Sequence, residues 1–102
     1  MIKIIDKGSW HIDNGVSKEH VIFHFKFIFK WLQKNNLLSD DGKEILNIGI
    51  DDTVSLNEKI VNKEGLDFLQ YCYDKYISSI NYGIEENEKL LDKYYSDFLS
   101  KK

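Results

Sequence analysis

The sequence contains no proline, no alanine and no arginine, and its 102 residues include one cysteine and one methionine. Without arginine, the planar side chain that grips phosphates with paired hydrogen bonds is missing. The pI of about 5.5 also argues against a polyanionic ligand. We attribute the missing residue types to an AT-rich bacterial genome, and we expect no nucleic-acid partner.

The single cysteine, Cys72, excludes a disulfide within the chain and fits a reducing compartment. The opening residues MIKIIDKG lack the apolar stretch of a signal peptide. The apolar run from His20 to Leu32 is too short to span a bilayer, and lysines interrupt it. We therefore expect a cytoplasmic protein that does not bind a membrane.

Motifs that accompany catalysis are also absent from the sequence. It contains neither of the glycine-rich phosphate loops GxGxxG and GxxxxGK, and no serine lies in a GxSxG setting. Cys72 has no histidine near it in sequence, so we expect it to be a small buried residue. The sequence predicts a protein that is not an enzyme and that carries no cofactor.

The segment Ser17–Asn36 is the densest apolar run of the chain. On a helical wheel its two sides differ, with Val21, Phe25, Ile28 and Leu32 opposite Lys26, Lys30, Gln33 and Lys34. The apolar arc is wider than a surface helix needs, and Ile22, Phe23 and Phe29 extend it further. The pattern predicts a central helix, capped by Ser17, on which the other segments pack.

The fold class predicted from these patterns is mainly α: one compact domain over residues 1–102, built as a bundle of about four helices. Residues 1–5 form either a short strand or an extended arm, followed by a turn at residues 6–8 and a loop with Trp10 and His11. A second helix begins after Ser39. The segment ILNIGI, residues 45–50, fits a helix and equally fits a strand that pairs with IKII.

The second half of the chain carries further start and stop signals. Ser55–Glu58 has the spacing of a capping box for a brief helical turn. Asn62 caps a third helix that runs to about Asn81, and Gly83 ends it. A last helix covers residues 84–99, with its inward face formed by Ile84, Leu91, Tyr94, Tyr95 and Phe98.

His20 and His24 lie four residues apart, a spacing that lets two imidazoles bind one metal, with His11 as a third ligand. The residues between them are Val-Ile-Phe, so the glutamate of an HExxH motif is absent. His24 also falls within the apolar arc beside Ile28. We therefore favour a core role for His24 and keep a metal site as the alternative.

The predicted core-facing side of the third helix consists of Leu66, Leu69, Tyr73, Tyr76, Ile77 and Ile80. Three further aromatic residues lie roughly on its opposite side: Phe68, Tyr71 and Tyr82. Two interpretations remain equally open. Either the remaining segments cover these rings, or they form the centre of an interface with a partner or a second copy.

Charge is unevenly distributed along the chain. Residues 39–102 carry 14 acids against 8 lysines, whereas residues 1–38 carry a net positive charge. Two acidic groups stand out: one on the last helix, Glu85, Glu88 and Asp92, and one earlier in the chain, Asp40, Asp41, Glu44, Asp51 and Asp52. Such groups are either solvated surface or the site for a basic partner, whose association they would accelerate.

Several short pieces of the sequence resemble a small bacterial family without assigned function. They are the Trp10-His11 pair, the helix with His20, His24 and Trp31, Glu64-Gly65 followed by Phe68, and the run YCYDKY from Tyr71 to Tyr76. The resemblance covers about residues 10–82. The chain departs from that family where Cys72 separates two tyrosines and where prolines are missing before the first helix. The resemblance implies a bacterial cytoplasmic origin, and it supplies neither an activity nor catalytic residues.

Together these features predict a non-enzymatic protein-binding module, most simply a small acidic inhibitor such as an immunity protein that occludes the basic site of a bacterial toxin. The acids Glu85, Glu88, Asp92, Asp51 and Asp52 would meet the partner, and Phe68, Tyr71 and Tyr82 would anchor it. The alternatives are a metal-binding protein that uses His11, His20 and His24, and a self-associating module.

Overall fold

The elements of the fold alternate along the chain in an order that places a long helix at the centre. The computed structural model describes residues 3–101. Within that range the order is β1 (Ile4–Lys7), α1 (Gly8–Asp13), α2 (Lys18–Lys34), α3 (Asp40–Ile48), β2 (Ser55–Asn57), α4 (Lys63–Ser78) and α5 (Glu88–Ser100). Four of these helices exceed seven residues, so the predicted mainly helical class, with a strand near the N-terminus, is confirmed.

The central helix α2 begins and ends where the sequence predicts. The Ser17 side chain accepts a hydrogen bond from the His20 backbone N–H at 3.2 Å, and Asn36 adopts the left-handed conformation after the helix. Its apolar arc is buried, including Phe29, which we expected to extend past the core. Phe23 is the one large apolar side chain of α2 that is about half exposed. Helix α2 is therefore covered on most of its circumference.

Capping residues also define the later helices. The side chains of Ser39, Asn62 and Asn87 accept hydrogen bonds from backbone N–H groups in the first turns of α3, α4 and α5. Residues 45–48 are helical and Gly49, at φ +124°, follows α3 directly. The open question about ILNIGI is thus answered in favour of a helix for its first four residues.

Two local predictions in the first half of the fold are wrong. Ser55–Glu58 does not form a helical turn, because Ser55–Asn57 is the strand β2, which pairs antiparallel with β1 and buries Leu56 completely. Trp10 and His11 lie in α1 and not in a loop. The predicted turn at residues 6–8 is instead the end of β1, at Lys7, followed directly by the first residue of α1, Gly8. In both places pairing between distant segments overrides a short local signal.

The last helix starts later than predicted. Residues 79–87 form turns in which Gly83 adopts φ +70°, and a side chain there would meet the His20 carbonyl oxygen, 2.4 Å from the Cβ position. Because this close approach fixes the turn, α5 begins only after Asn87. Ile84 is about half exposed, so the prediction that it faces inward is wrong, whereas Leu91 is buried as expected.

The described chain folds around one continuous cluster of buried side chains, with a radius of gyration of 12.8 Å. Cys72 belongs to this cluster, as predicted. No helix within residues 3–101 combines the length and the apolar character needed to cross a bilayer.

Candidate functional site

A connected set of polar side chains lies inside the apolar core. It joins β1, α1, α2, α4 and the turn before α5, and we call it the buried network: Asp6, His11, His24, Tyr73, Tyr76 and Glu86. Buried polar groups are costly unless their hydrogen bonds are made. The hydrogen bonds of this network therefore determine whether its buried polar groups are satisfied.

The centre of the buried network is an ion pair between His24 and Glu86. His24 Nδ1 lies 2.9 and 3.0 Å from the two carboxylate oxygens of Glu86, and the side chains are 0% and 1% exposed. The Tyr76 hydroxyl and the Gly83 backbone N–H also donate to this carboxylate, at 2.9 and 3.0 Å. These hydrogen bonds satisfy the oxygens of a carboxyl group that has almost no contact with water.

The other nitrogen of His24 continues the network towards β1. The Tyr73 hydroxyl donates to Asp6 Oδ2 at 2.6 Å, and His24 Nε2 lies 2.8 Å from the Tyr73 oxygen. Asp6 also accepts a hydrogen bond from His11 Nε2 at 2.8 Å. The network thus links His24 in α2, through Tyr73, to Asp6 in β1 and His11 in α1.

Tyr82 covers this arrangement from the turn before α5. Its ring lies 4.2 Å from the His11 ring and 4.1 Å from the His24 ring, measured between centroids. Its hydroxyl is buried and has no hydrogen-bond partner among residues 3–101. Tyr82 was predicted as a surface anchor, but it is half-buried and holds two imidazoles in place.

The three histidines do not converge on a metal site in the described part of the chain. No group of three or more histidine, cysteine, aspartate or glutamate side chains within residues 3–101 is arranged to hold a metal ion. His24 uses both nitrogens in the network, and His11 donates to Asp6. His20 lies at the start of α2 against the Gly83 turn.

Tyr82→Phe offers a clean test of the burial of this residue. The variant is expected to stay within about 1 kcal/mol of the original protein in its free energy of unfolding at pH 7, because the hydroxyl that it loses has no partner in the described chain. Burial, reinforced by the charges of Asp6 and Glu86, raises the pKa of Tyr82 above its usual value near 10. The stability that this phenol contributes is complete below about pH 10 and is lost as the pH rises above it.

The variant should therefore lose stability less steeply between about pH 10 and pH 11, by up to about 1.4 kcal/mol per pH unit. Urea unfolding of both proteins across this range measures the difference. Lysines titrate equally in the two proteins, and Tyr73 and Tyr76, whose pKa values burial also raises, remain in both. Identical slopes would show that the Tyr82 hydroxyl reaches water in the folded protein.

The remaining predicted anchors have different surroundings. Phe68 is fully buried, and its ring packs 5.2 Å from Trp31, 5.1 Å from Tyr95 and 5.6 Å from Phe98, between centroids. The prediction that Phe68 projects away from the core is therefore wrong, because α5 covers that side of α4. Tyr71 is half-buried, and the amines of two lysines, Lys75 and Lys101, lie 5.0 and 4.8 Å from its ring.

The acids predicted on the last helix are partly engaged within the chain. Glu88 pairs with Lys34 of α2 at 2.6 Å, and Asp92 accepts the Trp31 indole N–H at 2.9 Å. The Lys34 pairing also raises the pKa of that lysine. Glu85 precedes α5 and is exposed. Two members of this stripe thus hold α5 against α2.

A groove between α3 and β2 is the most distinctive surface feature. It consists of two adjoining hollows of about 390 and 300 Å³, which both contain Ile45, Ile48, Asn57 and Ile60. Ile48 at its rim is 79% exposed, the most exposed large apolar side chain in the described chain. We call this surface the α3–β2 groove; its further lining residues are Asp41, Glu44, Gly49, Ile50, Asp51, Thr53, Val54, Ser55 and Lys59.

Acidic side chains border the α3–β2 groove. Asp41 and Glu44 line the larger hollow with Lys59, and Asp51 lines the other. The Thr53 hydroxyl and backbone N–H donate to Asp51, at 2.5 and 2.8 Å, and both bonds lower the pKa of that carboxyl group. The other predicted loop acid, Asp52, lies 3.7 Å from the Lys18 amine and does not line the groove.

Comparison with known proteins adds nothing to this geometry. No family model matches the chain, and no curated protein and no solved structure shows significant similarity to it. The resemblance drawn from the short sequence pieces therefore remains a prediction.

Sequence patterns missed the two features that dominate the structure. Glu86 was not singled out, because its neighbours Glu85 and Glu88 gave it the appearance of one more surface acid. Ile48 was assigned to the apolar side of a helix or strand, and its exposure follows from the end of α3 at Gly49. The sequence did contain a signal for this exposed residue: Ile48 directly precedes the glycine that ends the helix, and Asp51 follows soon after.

Proposed function

We propose that this chain is a non-enzymatic protein-binding module that recognises a partner with a basic surface. The observation that carries the proposal is the α3–β2 groove, in which the exposed Ile48 lies among the carboxylates of Asp41, Glu44 and Asp51. Interfaces typically surround an apolar centre with polar groups, and charges of one sign select partners of the other.

The placement of reactive side chains supports a binding role. His24, Asp6 and Glu86 are buried and hydrogen-bonded to one another, which leaves them no access to a substrate. Burial raises the pKa of the Cys72 thiol to about 12, so this side chain is not a thiolate near neutral pH.

A small acidic inhibitor is the form of binding that best fits this chain. An immunity protein that occludes the basic active site of a bacterial toxin in the cytoplasm requires a stable scaffold and one acidic face. Size, the net charge of −3 and the acid-bordered groove support this proposal.

Charge reversal tests the proposal directly. The combined variant Asp41→Lys, Glu44→Lys and Asp51→Lys should weaken capture of a basic protein from a lysate of the source organism by at least about ten-fold, or about 1.4 kcal/mol. Binding by the original protein should weaken as salt is added. Capture on the immobilised protein at several concentrations, with identification of the bound protein, measures both effects.

A matched variant carries the same change in charge elsewhere. It reverses three exposed acids outside the groove, Asp67, Asp74 and Asp97, and should bind as the original does. A further variant, Glu85→Lys with Glu88→Lys, tests the acids of the last helix. Equal losses in the groove variant and the matched variant, or a bound protein without a basic surface, would refute the proposal.

A further inference from the structure

We infer that the α3–β2 groove binds an extended segment of its partner. This segment carries two aliphatic residues with one residue between them, and a lysine or arginine lies at each end. This inference rests on the proposed function and names the chemistry of the bound segment. It follows from the two hollows, from the strand that borders them and from the distribution of their acids.

The two hollows favour a pair of apolar side chains. They adjoin at Ile45, Ile48 and Ile60, and Ile48 protrudes where they meet. In an extended segment, alternate side chains point to the same side and lie about 7 Å apart. A segment that crosses Ile48 can therefore place one aliphatic side chain in each hollow and bury the exposed isoleucine between them.

The strand β2 favours an extended conformation for that segment. In the described part of the chain, β2 pairs with β1 along one edge, and the sheet contains no third strand. Residues Ser55 and Asn57 of β2 line the groove itself. Proteins frequently bind extended peptides alongside a strand, where the backbone directions match.

The acids favour a base at each end of the segment. Asp41 and Glu44 outnumber Lys59 in one hollow and Asp51 lies in the other, so carboxylates border the groove on both sides of Ile48. None of the three forms an ion pair with another residue of the described range 3–101. The lysines or arginines at the two ends point to the opposite side from the aliphatic pair, and their long side chains would bend to the carboxylates at the rim and neutralise them.

A capped peptide with the sequence KISIK is the direct probe, titrated into the ¹⁵N-labelled protein and followed by amide chemical shifts. Shifts should appear at the groove residues and saturate at a Kd in the millimolar range. A peptide with glutamates in place of its lysines, and one with serines in place of its isoleucines, should each produce no saturating shift.

Two protein variants test whether Ile48 contributes to binding of the peptide. Ile48→Ser should weaken binding of KISIK at least five-fold, whereas Ile84→Ser, at another exposed isoleucine outside the groove, should leave it unchanged. Melting curves of both variants show whether they remain folded. Binding of the glutamate peptide at equal strength, shifts confined to other surfaces, or equal effects of the two variants would overturn the inference.

The results also separate this inference from the proposed function. If a basic protein is captured through the groove acids but KISIK does not bind, the extended segment is wrong and the proposed function stands. If groove amide shifts change on dilution of the free protein, a second copy covers the groove, which likewise overturns the extended segment. If no basic protein depends on the groove acids, both proposals fail.

Discussion

Replacing Glu86 by glutamine is expected to destabilise the protein by about 3–5 kcal/mol, because it breaks the buried pair of His24 and Glu86 and turns an amide NH₂ towards groups that donate to the carboxylate. The change keeps the size of the side chain, so packing alone predicts little effect. A domain of this length has a total stability of roughly 5–15 kcal/mol. The melting temperature should therefore fall by at least about 12 °C, and urea unfolding followed by circular dichroism measures the loss.

Two further variants show whether the charge is the cause. Glu85→Gln changes the neighbouring exposed glutamate in the same way and should alter stability by no more than about 0.5 kcal/mol. The double variant His24→Leu with Glu86→Leu should be more stable than Glu86→Gln, since no unpaired charge remains buried. A loss below about 1 kcal/mol for Glu86→Gln would show that the carboxylate charge does not stabilise the fold at this position.

The sequence could predict one half of this ion pair. A helical wheel places His24 among apolar residues, and it is fully buried. Its partners are 62 residues away at Glu86 and 49 residues away at Tyr73. Periodicity describes one element at a time and contains no information on which distant side chains meet, so the buried network could not be predicted from it.

The same limit explains the errors in local structure. Ser55–Asn57 carries a helix-start signal worth about 1 kcal/mol, whereas burial of Leu56 beside β1 contributes roughly 1.5–3 kcal/mol. The second effect is larger, but it exists only once β1 is present. Helix ends were predicted best where a cap acts alone, as at Ser17 and Asn62.

At the candidate binding surface, the sequence patterns did not predict which side chains are exposed and available. The wheel of α4 places Phe68 away from Leu69 and Tyr73, and it is nevertheless buried because α5 packs on that side. Charge patterns did single out Asp41, Glu44 and Asp51, which line the groove. They gave no reason to prefer these acids to Glu88, which pairs with Lys34. A sequence shows which residues are charged, but it does not show which charged side chains are free to contact a partner.

The buried network and the α3–β2 groove are connected through the sheet. Asp6 of β1 accepts hydrogen bonds from Tyr73 and His11, and β1 pairs with β2, which borders the groove. Interactions in the core thus fix the position of a strand that the partner would contact. The buried network costs desolvation, and we attribute its presence to the placement of β1 against α1 and α4 that the hydrogen bonds of Asp6 enforce.

Gly42→Ala should destabilise the protein by about 3 kcal/mol, although the same change inside an exposed helix normally stabilises by about 1 kcal/mol. A Cβ atom at this position in α3 would lie 2.2 Å from the backbone oxygen of Ile60 and 3.0 Å from side-chain atoms of Ile60 and Leu38. The Ile60 oxygen cannot move freely, because it accepts a hydrogen bond from the Ser39 N–H at 2.8 Å.

Urea unfolding measures the loss, and Lys43→Ala provides the control, because Lys43 is exposed on the same helix and its replacement should change stability by no more than about 0.5 kcal/mol. Since Ile60 lines both hollows, displacement of α3 in Gly42→Ala should also weaken KISIK binding under conditions where the variant is folded. A stabilised Gly42→Ala protein would mean that α3 lies farther from Ile60, and the groove would then have a different shape.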